Sequence, residues 1–206
     1  MNHLQASAIF VLLVCSSVVE AQTGLVRTPE SVSLSFFYGA LHPLTVTHHL
    51  LVLLAMGLLA GRQHQNHVDK ALIIGLACIA IGLVLAPQSV IAFALVLMLA
   101  LSLLASFLVV INKAAASWLA LPIVGVACLV LGLDSPADPN QPFAHRLASQ
   151  AGTWLGASAP IIYLSLLARN ATKPWQTIAV RIGASWLSAV AMVVLVLKLT
   201  RTSLPG

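Results

Sequence analysis

Three imidazoles, at His42, His48 and His49, fall within eight residues of an otherwise apolar stretch, GALHPLTVTHHLLVLLAMGLLAG over residues 39–61. Neutral imidazole is the commonest side-chain metal ligand, and borderline divalent ions such as nickel, cobalt, zinc and copper suit it. The stretch is long enough to cross a membrane, where ionisable groups are costly and face a cavity, a partner or a ligand. His42 and His49 are two helical turns apart and share a face if the helix is continuous. His48 is rotated about 100° from His49. It meets His42 only if Pro43, which lacks an N–H and frees a carbonyl near Gly39, distorts the helix. One imidazole could instead cap that carbonyl while another sits at the interface; three beside a proline favour a ligand or pathway role. Few protein ligands with open positions would let an ion bind and still leave, as permeation requires.

Other candidates are weaker. His64 and His67, with Asp69 two residues further on, could take up an ion leaving the path, though such a polar loop is more often simply solvated. His145, with Asp134 and Asp138, could gather cations in the segment DSPADPNQPFAHR, which a proline-broken surface loop explains equally well. Cys15, Cys78 and Cys128 lie in apolar runs without CxxC spacing and read as packing residues. Trp118, Trp154, Trp175 and Trp186 read as interfacial anchors or packing. No Ser–His, Asp–Asp or zinc-protease pattern and no P-loop is evident, and haem would need axial histidines on separate spans. The expectation is a protein that is not an enzyme and holds no permanent cofactor.

The elements that must position the histidines follow from composition. The chain has 206 residues, 60% hydrophobic and 7% charged, which excludes an ordinary soluble domain. The net charge of +5 is scattered among loops, so nucleic acid is not a partner; the lipid bilayer is. Residues 1–21 resemble a secretory signal peptide, with Ala8 to Val14 as its apolar core and cleavage after Ala21. Residues 22–206 then form one all-α membrane domain of about six transmembrane helices, at about 36–60, 71–86, 89–111, 116–133, 147–168 and 178–199. Pro87 and Gln88 make a tight turn, and Asn112 and Lys113 end the third span.

Basic residues in short loops set the orientation. With the mature N-terminus outside, Arg62, Lys70, Lys113, Arg169, Lys173 and Arg181 fall inside, and Arg27, Arg146, Lys198 and Arg201 outside. The expected location is a bacterial-type inner (plasma) membrane with both mature ends outside. Gly75 with Gly82, Gly152 with Gly156, and Ser185 with Ala189 are small-residue pairs that let helices approach closely.

The run His42-Pro43, then His48-His49-Leu50-Leu51, followed by Gly57-Leu58, resembles the signature H-P-x-x-G-x-D-H-L-L-x-M of the HupE/UreJ family of hydrogenase and urease accessory membrane proteins. Arg181 to Ala189 is similar to that family's last span. The family's glycine is Val46 here, its aspartate is His48 and its methionine falls at Leu53; a later His-Gly-type motif is missing. The resemblance implies about six spans, a nickel or cobalt permease, and metal-path roles for His42 and His49. Imidazole in place of the aspartate makes the site more nitrogen-rich and tilts it towards copper or zinc.

The sequence therefore predicts a membrane permease for a divalent transition-metal ion, nickel or cobalt first and copper or zinc next, supplying metalloenzyme assembly. His42, His48 and His49 would line the path, with His64 and His67 at its exit. The alternative is a non-transporting accessory or scaffold protein that serves a metalloenzyme maturation partner.

Overall fold

The computed structural model describes residues 31–63, 65–86, 93–111 and 117–203. Among them the chain forms seven helices and no strand: α1 Val32–Thr45, α2 Thr47–Gly61, α3 Gln65–Leu85, α4 Ala94–Ile111, α5 Ser117–Leu133, α6 Phe143–Arg169 and α7 Pro174–Ser203. The expected signal peptide, Cys15, the turn at Pro87 and the span end at Asn112 and Lys113 lie outside the described residues.

Helices α3, α4, α6 and α7 are each long and apolar enough to cross a membrane. The pair α1–α2 makes a fifth candidate span, bent by 76°. Helix α5, 17 residues long, is apolar but shorter than the roughly 20 residues that cross a bilayer upright. The chain is a multi-pass helical membrane protein, with four to five candidate spans and this shorter apolar helix where six spans were expected. Several boundaries also move. Helix α3 starts at Gln65, so part of the expected loop is helical, and α6 and α7 each start four residues before their expected spans.

The expected continuous first span is broken, and at Val46 rather than at Pro43. Pro43 is buried inside α1, whereas Val46 adopts extended backbone at φ −84°, ψ 115°. Thr45, Val46 and Thr47 are consecutive β-branched residues, which lose rotamer freedom in a helix and favour extended backbone. Thr45 Oγ1 donates to the His42 carbonyl at 3.0 Å, closing the last turn of α1, and Ser31 Oγ accepts from Leu34 N–H at 3.3 Å to open the first.

Helix α2 is apolar on every side after its first turn and is correspondingly buried, from His49 through Gly61 with Leu50 and Leu54 half-buried. Its main neighbours are α4, α5 and α6. Helix α6, 27 residues without a break, supports both halves of the broken span. Near its start Gly152 and Gly156 meet the carbonyls of Phe36 and Ala40 in α1, and further along Ile161 and Ser165 lie against Gly57 and Gly61 of α2. Backbones this close leave no room for a Cβ, and small residues supply such contact where lipid offers no hydrophobic drive for association. Gly82 of α3 and Gly132 of α5 face each other in the same way.

Side chains also serve backbone that proline has freed. The Leu83 carbonyl would ordinarily accept from residue 87, which is proline, and Gln150 Nε2 of α6 donates to it instead at 3.2 Å. Trp154 Nε1 donates to the Leu76 carbonyl at 3.0 Å, so this tryptophan joins α6 to α3. Cys128 is buried in the core and Cys78 packs against it, in keeping with a packing role. Ser185 and Ala189 differ from expectation: both are exposed on α7, whose buried face carries Val180, Ala184 and Ala191.

Replacing Gly152 by leucine should lower the melting temperature of the detergent-purified protein by an amount equivalent to about 1–3 kcal/mol, the usual cost of overpacking. Gly183→Ala, where a Cβ would meet nothing within 4 Å, should leave it unchanged or raise it. Equal melting temperatures for wild type and Gly152→Leu would show that α1 and α6 do not meet at this glycine.

Candidate metal centre

The break between α1 and α2 gathers the three histidines. His48 and His49 are the second and third residues of α2, whose N-cap, Val46, offers no side-chain hydrogen bond to the helix N-terminus. The rings of His48 and His49 lie 4.6 Å apart between centroids, and those of His42 and His49 lie 5.4 Å apart. The expectation that His42 and His49 share a side thus holds in outcome but not in cause. They meet across a broken helix, and His48 joins them.

A fourth group arrives from a distant part of the sequence. Asp134, one residue past the end of α5, places Oδ2 at 3.2 Å from His48 Nε2 and 3.1 Å from His49 Nε2. With protons on Nε2, both imidazoles donate to this one carboxylate oxygen. Partial burial disfavours a charged carboxylate, and the hydrogen bonds from His48 and His49 compensate by satisfying its ionised form. The group is therefore an anion near neutral pH. It also lies at the N-terminus of α2, where unpaired N–H groups and the helix dipole favour negative charge.

His49 is 1% exposed, and its Nδ1 has no hydrogen-bond partner among the described residues. A buried unpaired polar atom costs about 1–3 kcal/mol, so the fold tolerates local expense here. His48, His49 and Asp134 each offer a ligand atom, and these atoms all lie within 4.8 Å of one another. First-row metal–ligand bonds of about 2.0–2.2 Å set neighbouring ligands roughly 3 Å apart, close to the two nitrogen–oxygen distances. Two imidazole nitrogens and one carboxylate oxygen could hold a divalent ion and leave positions open for exchange. Binding through Nε2 would displace the protons now shared with Asp134.

The remaining candidates stand elsewhere. His64 lies outside the described residues, and His67, half-buried near the start of α3, belongs to no such ligand group among the described residues. Asp69 pairs instead with Arg169, Oδ1 to Nη1 at 3.4 Å, tying the start of α3 to the end of α6. This puts those two ends on one side, as the loop charges required. His145 Nδ1 lies 2.8 Å from Ser35 Oγ, a Ser–His contact that the sequence did not suggest. Ser35 is 1% exposed, so the pair joins α1 to α6 and presents no accessible nucleophile. Asp138 accepts from the Asn140 backbone N–H within its own turn at 2.9 Å.

The sequence matches the family described as HupE / UreJ protein over residues 10–197. The chain belongs to this family. It is accordingly a helical membrane protein of an accessory and transporter family, linked to nickel and cobalt handling for hydrogenase and urease, and not of an enzyme family. No curated protein and no solved structure matches it. The sequence named Asp134, but in the wrong company, with His145 and Asp138 in one cation-gathering loop. Nothing local says that it faces histidines 85 residues away.

Cobalt(II) titration of the purified protein, followed by visible absorption, should show at least about tenfold weaker binding for Asp134→Asn, the smallest loss typical even of residues that only orient a ligand. The amide keeps the size and the acceptor but removes the charge. His67→Ala should bind as wild type does. Unchanged affinity in Asp134→Asn would remove the carboxylate from the ligand set.

Proposed function

We propose that this protein is a permease for a divalent transition-metal ion, nickel or cobalt, that supplies metalloenzyme assembly. His48, His49 and Asp134 form its binding station, and His42 is the next imidazole along the path. The observation that carries this reading is the convergence of two imidazoles on one partly buried carboxylate at a break in a candidate membrane-spanning helix pair. Irregular backbone at membrane depth is tolerated where it is buried in protein or lines a cavity, and intramembrane ionisable groups mark ion pathways.

The donor set bears on the ion. Two nitrogens with one carboxylate oxygen are less nitrogen-rich than the histidine motif alone suggests, because Asp134 supplies the negative charge that His48 lacks. Such a set suits nickel, cobalt or zinc better than a thiolate-seeking copper(I) ion. Three protein ligands hold an ion without closing its coordination shell, so it can leave.

In this reading the station opens to the outside of a bacterial-type inner membrane, both mature ends lie outside, and the ion is released on the side of Arg169 and Lys173. A counter-ion or a downhill gradient would drive passage. Metalloenzyme maturation proteins would receive the ion.

Cellular accumulation of nickel, cobalt, copper and zinc should be measured for wild type, His49→Ala and empty cells, with expression matched. Uptake of one ion that is lost in His49→Ala supports the permease and names its cargo. Equal accumulation in all three overturns transport and leaves the non-transporting accessory protein, which would instead show loss or mislocalisation of a partner protein.

A further inference from the structure

A cleft of about 580 Å³ opens between α2, α6 and α7, and none of the clustered histidines lines it. Its walls are leucines, Leu54 and Leu58 of α2, Leu164 and Leu167 of α6 and Leu187 of α7. The volume falls in the range of sites for small organic ligands, about 300–1,000 Å³. The cleft exists because α7 packs chiefly on α4 and turns small residues towards α2 and α6. At Gly183 a Cβ would meet nothing within 4 Å. An apolar void of this size forfeits dispersion contacts on every wall, so in a bilayer an apolar chain fills it.

Its polar groups are confined to one end. Asn170, Trp175 and Gln176 line that end, at the turn between α6 and α7. From Gln176 to Leu187 the wall of α7 rises about 16 Å, the hydrocarbon depth of a single leaflet, roughly half of 30 Å. Lys173, exposed in the same turn, is the cation beside that end: its backbone N–H bonds to Gln176 Oε1 at 3.0 Å, while Arg169, next to Asn170, is paired with Asp69. An amphipathic tryptophan beside a basic residue is the usual furniture of the headgroup level. An ion would find no ligand along the leucine walls, which separates this cleft from the metal path.

We infer that the cleft is a binding site for an anionic phospholipid of the leaflet on the Lys173 side, with one acyl chain along the leucine walls and the phosphate at Lys173. Lys173 selects the headgroup, and the depth of the cleft selects a chain that starts at the membrane surface. The metal station plays no part in this site.

The test is native mass spectrometry of the full-length protein in neutral detergent, with phosphatidylglycerol or phosphatidylcholine of identical acyl chains added. Wild type should retain one phosphatidylglycerol per chain and bind it about fivefold more tightly than phosphatidylcholine, the discrimination that about 1 kcal/mol from one surface lysine provides. Lys173→Gln should bring phosphatidylglycerol down to the level of phosphatidylcholine. Gly183→Leu, which fills the cleft, should abolish retention of both. Equal binding of the two lipids by wild type overturns the proposal, as does undiminished binding in Gly183→Leu. A lipid-free dimer that Gly183→Leu dissolves would assign the cleft to a second copy of the chain and overturn it as well. Should Gly183→Leu fail to fold, the exposed Lys173→Gln variant still decides the headgroup claim.

Discussion

The structure depends on burying a helix that is apolar on every side yet opens with two histidines. Once α2 is enclosed, the imidazole of His49 can no longer be hydrated, and a buried polar group without a partner is expensive. Asp134 answers that need, and its own partial burial is in turn tolerable because two imidazoles share it. Neither half is comfortable alone. The three groups offer ligand atoms within 4.8 Å of one another, so a metal ion held there would replace the interaction that stabilises the fold.

The rest of the bundle can be understood as support for that arrangement. The bend at Val46 would leave α1 and α2 as two short helices with little to fix their angle. Helix α6 runs unbroken past both and touches each at glycine, where backbone meets backbone and little can slide. Helix α5 places the carboxylate at its C-terminal end, an unfavourable position for an anion until His48, His49 and the α2 N-terminus compensate. Helix α5 is fixed in turn by α3 through the facing glycines 82 and 132.

The family signature looks different once this geometry is in view. Its glycine position holds Val46 here, and Val46 is the residue at which the helix breaks, in extended backbone that valine accepts readily. Its aspartate position holds His48, and the carboxylate comes from Asp134 instead. Both departures therefore fall at the break: Val46 forms it, and His48 brings an imidazole to the contact with Asp134.

The sequence by itself determined that this is a helical membrane protein and roughly where its helices lie, and it named the three histidines that come together. Those properties are local: apolar run length, loop charge and residue type act within about twenty residues of chain. It also marked Gly152 and Gly156 as contact points, because small residues spaced four apart admit another helix whatever the partner is. It misplaced the break, since a proline is a visible helix breaker while three β-branched residues beside a threonine-capped carbonyl act together and less conspicuously. Only the tertiary structure decided that Asp134 belongs with His48 and His49, that Asp69 pairs with Arg169 and that His145 meets Ser35. Each of these joins residues at least 85 positions apart, and their meeting is fixed by which helix packs on which. That choice rests on the shape of whole faces, and no local pattern encodes it.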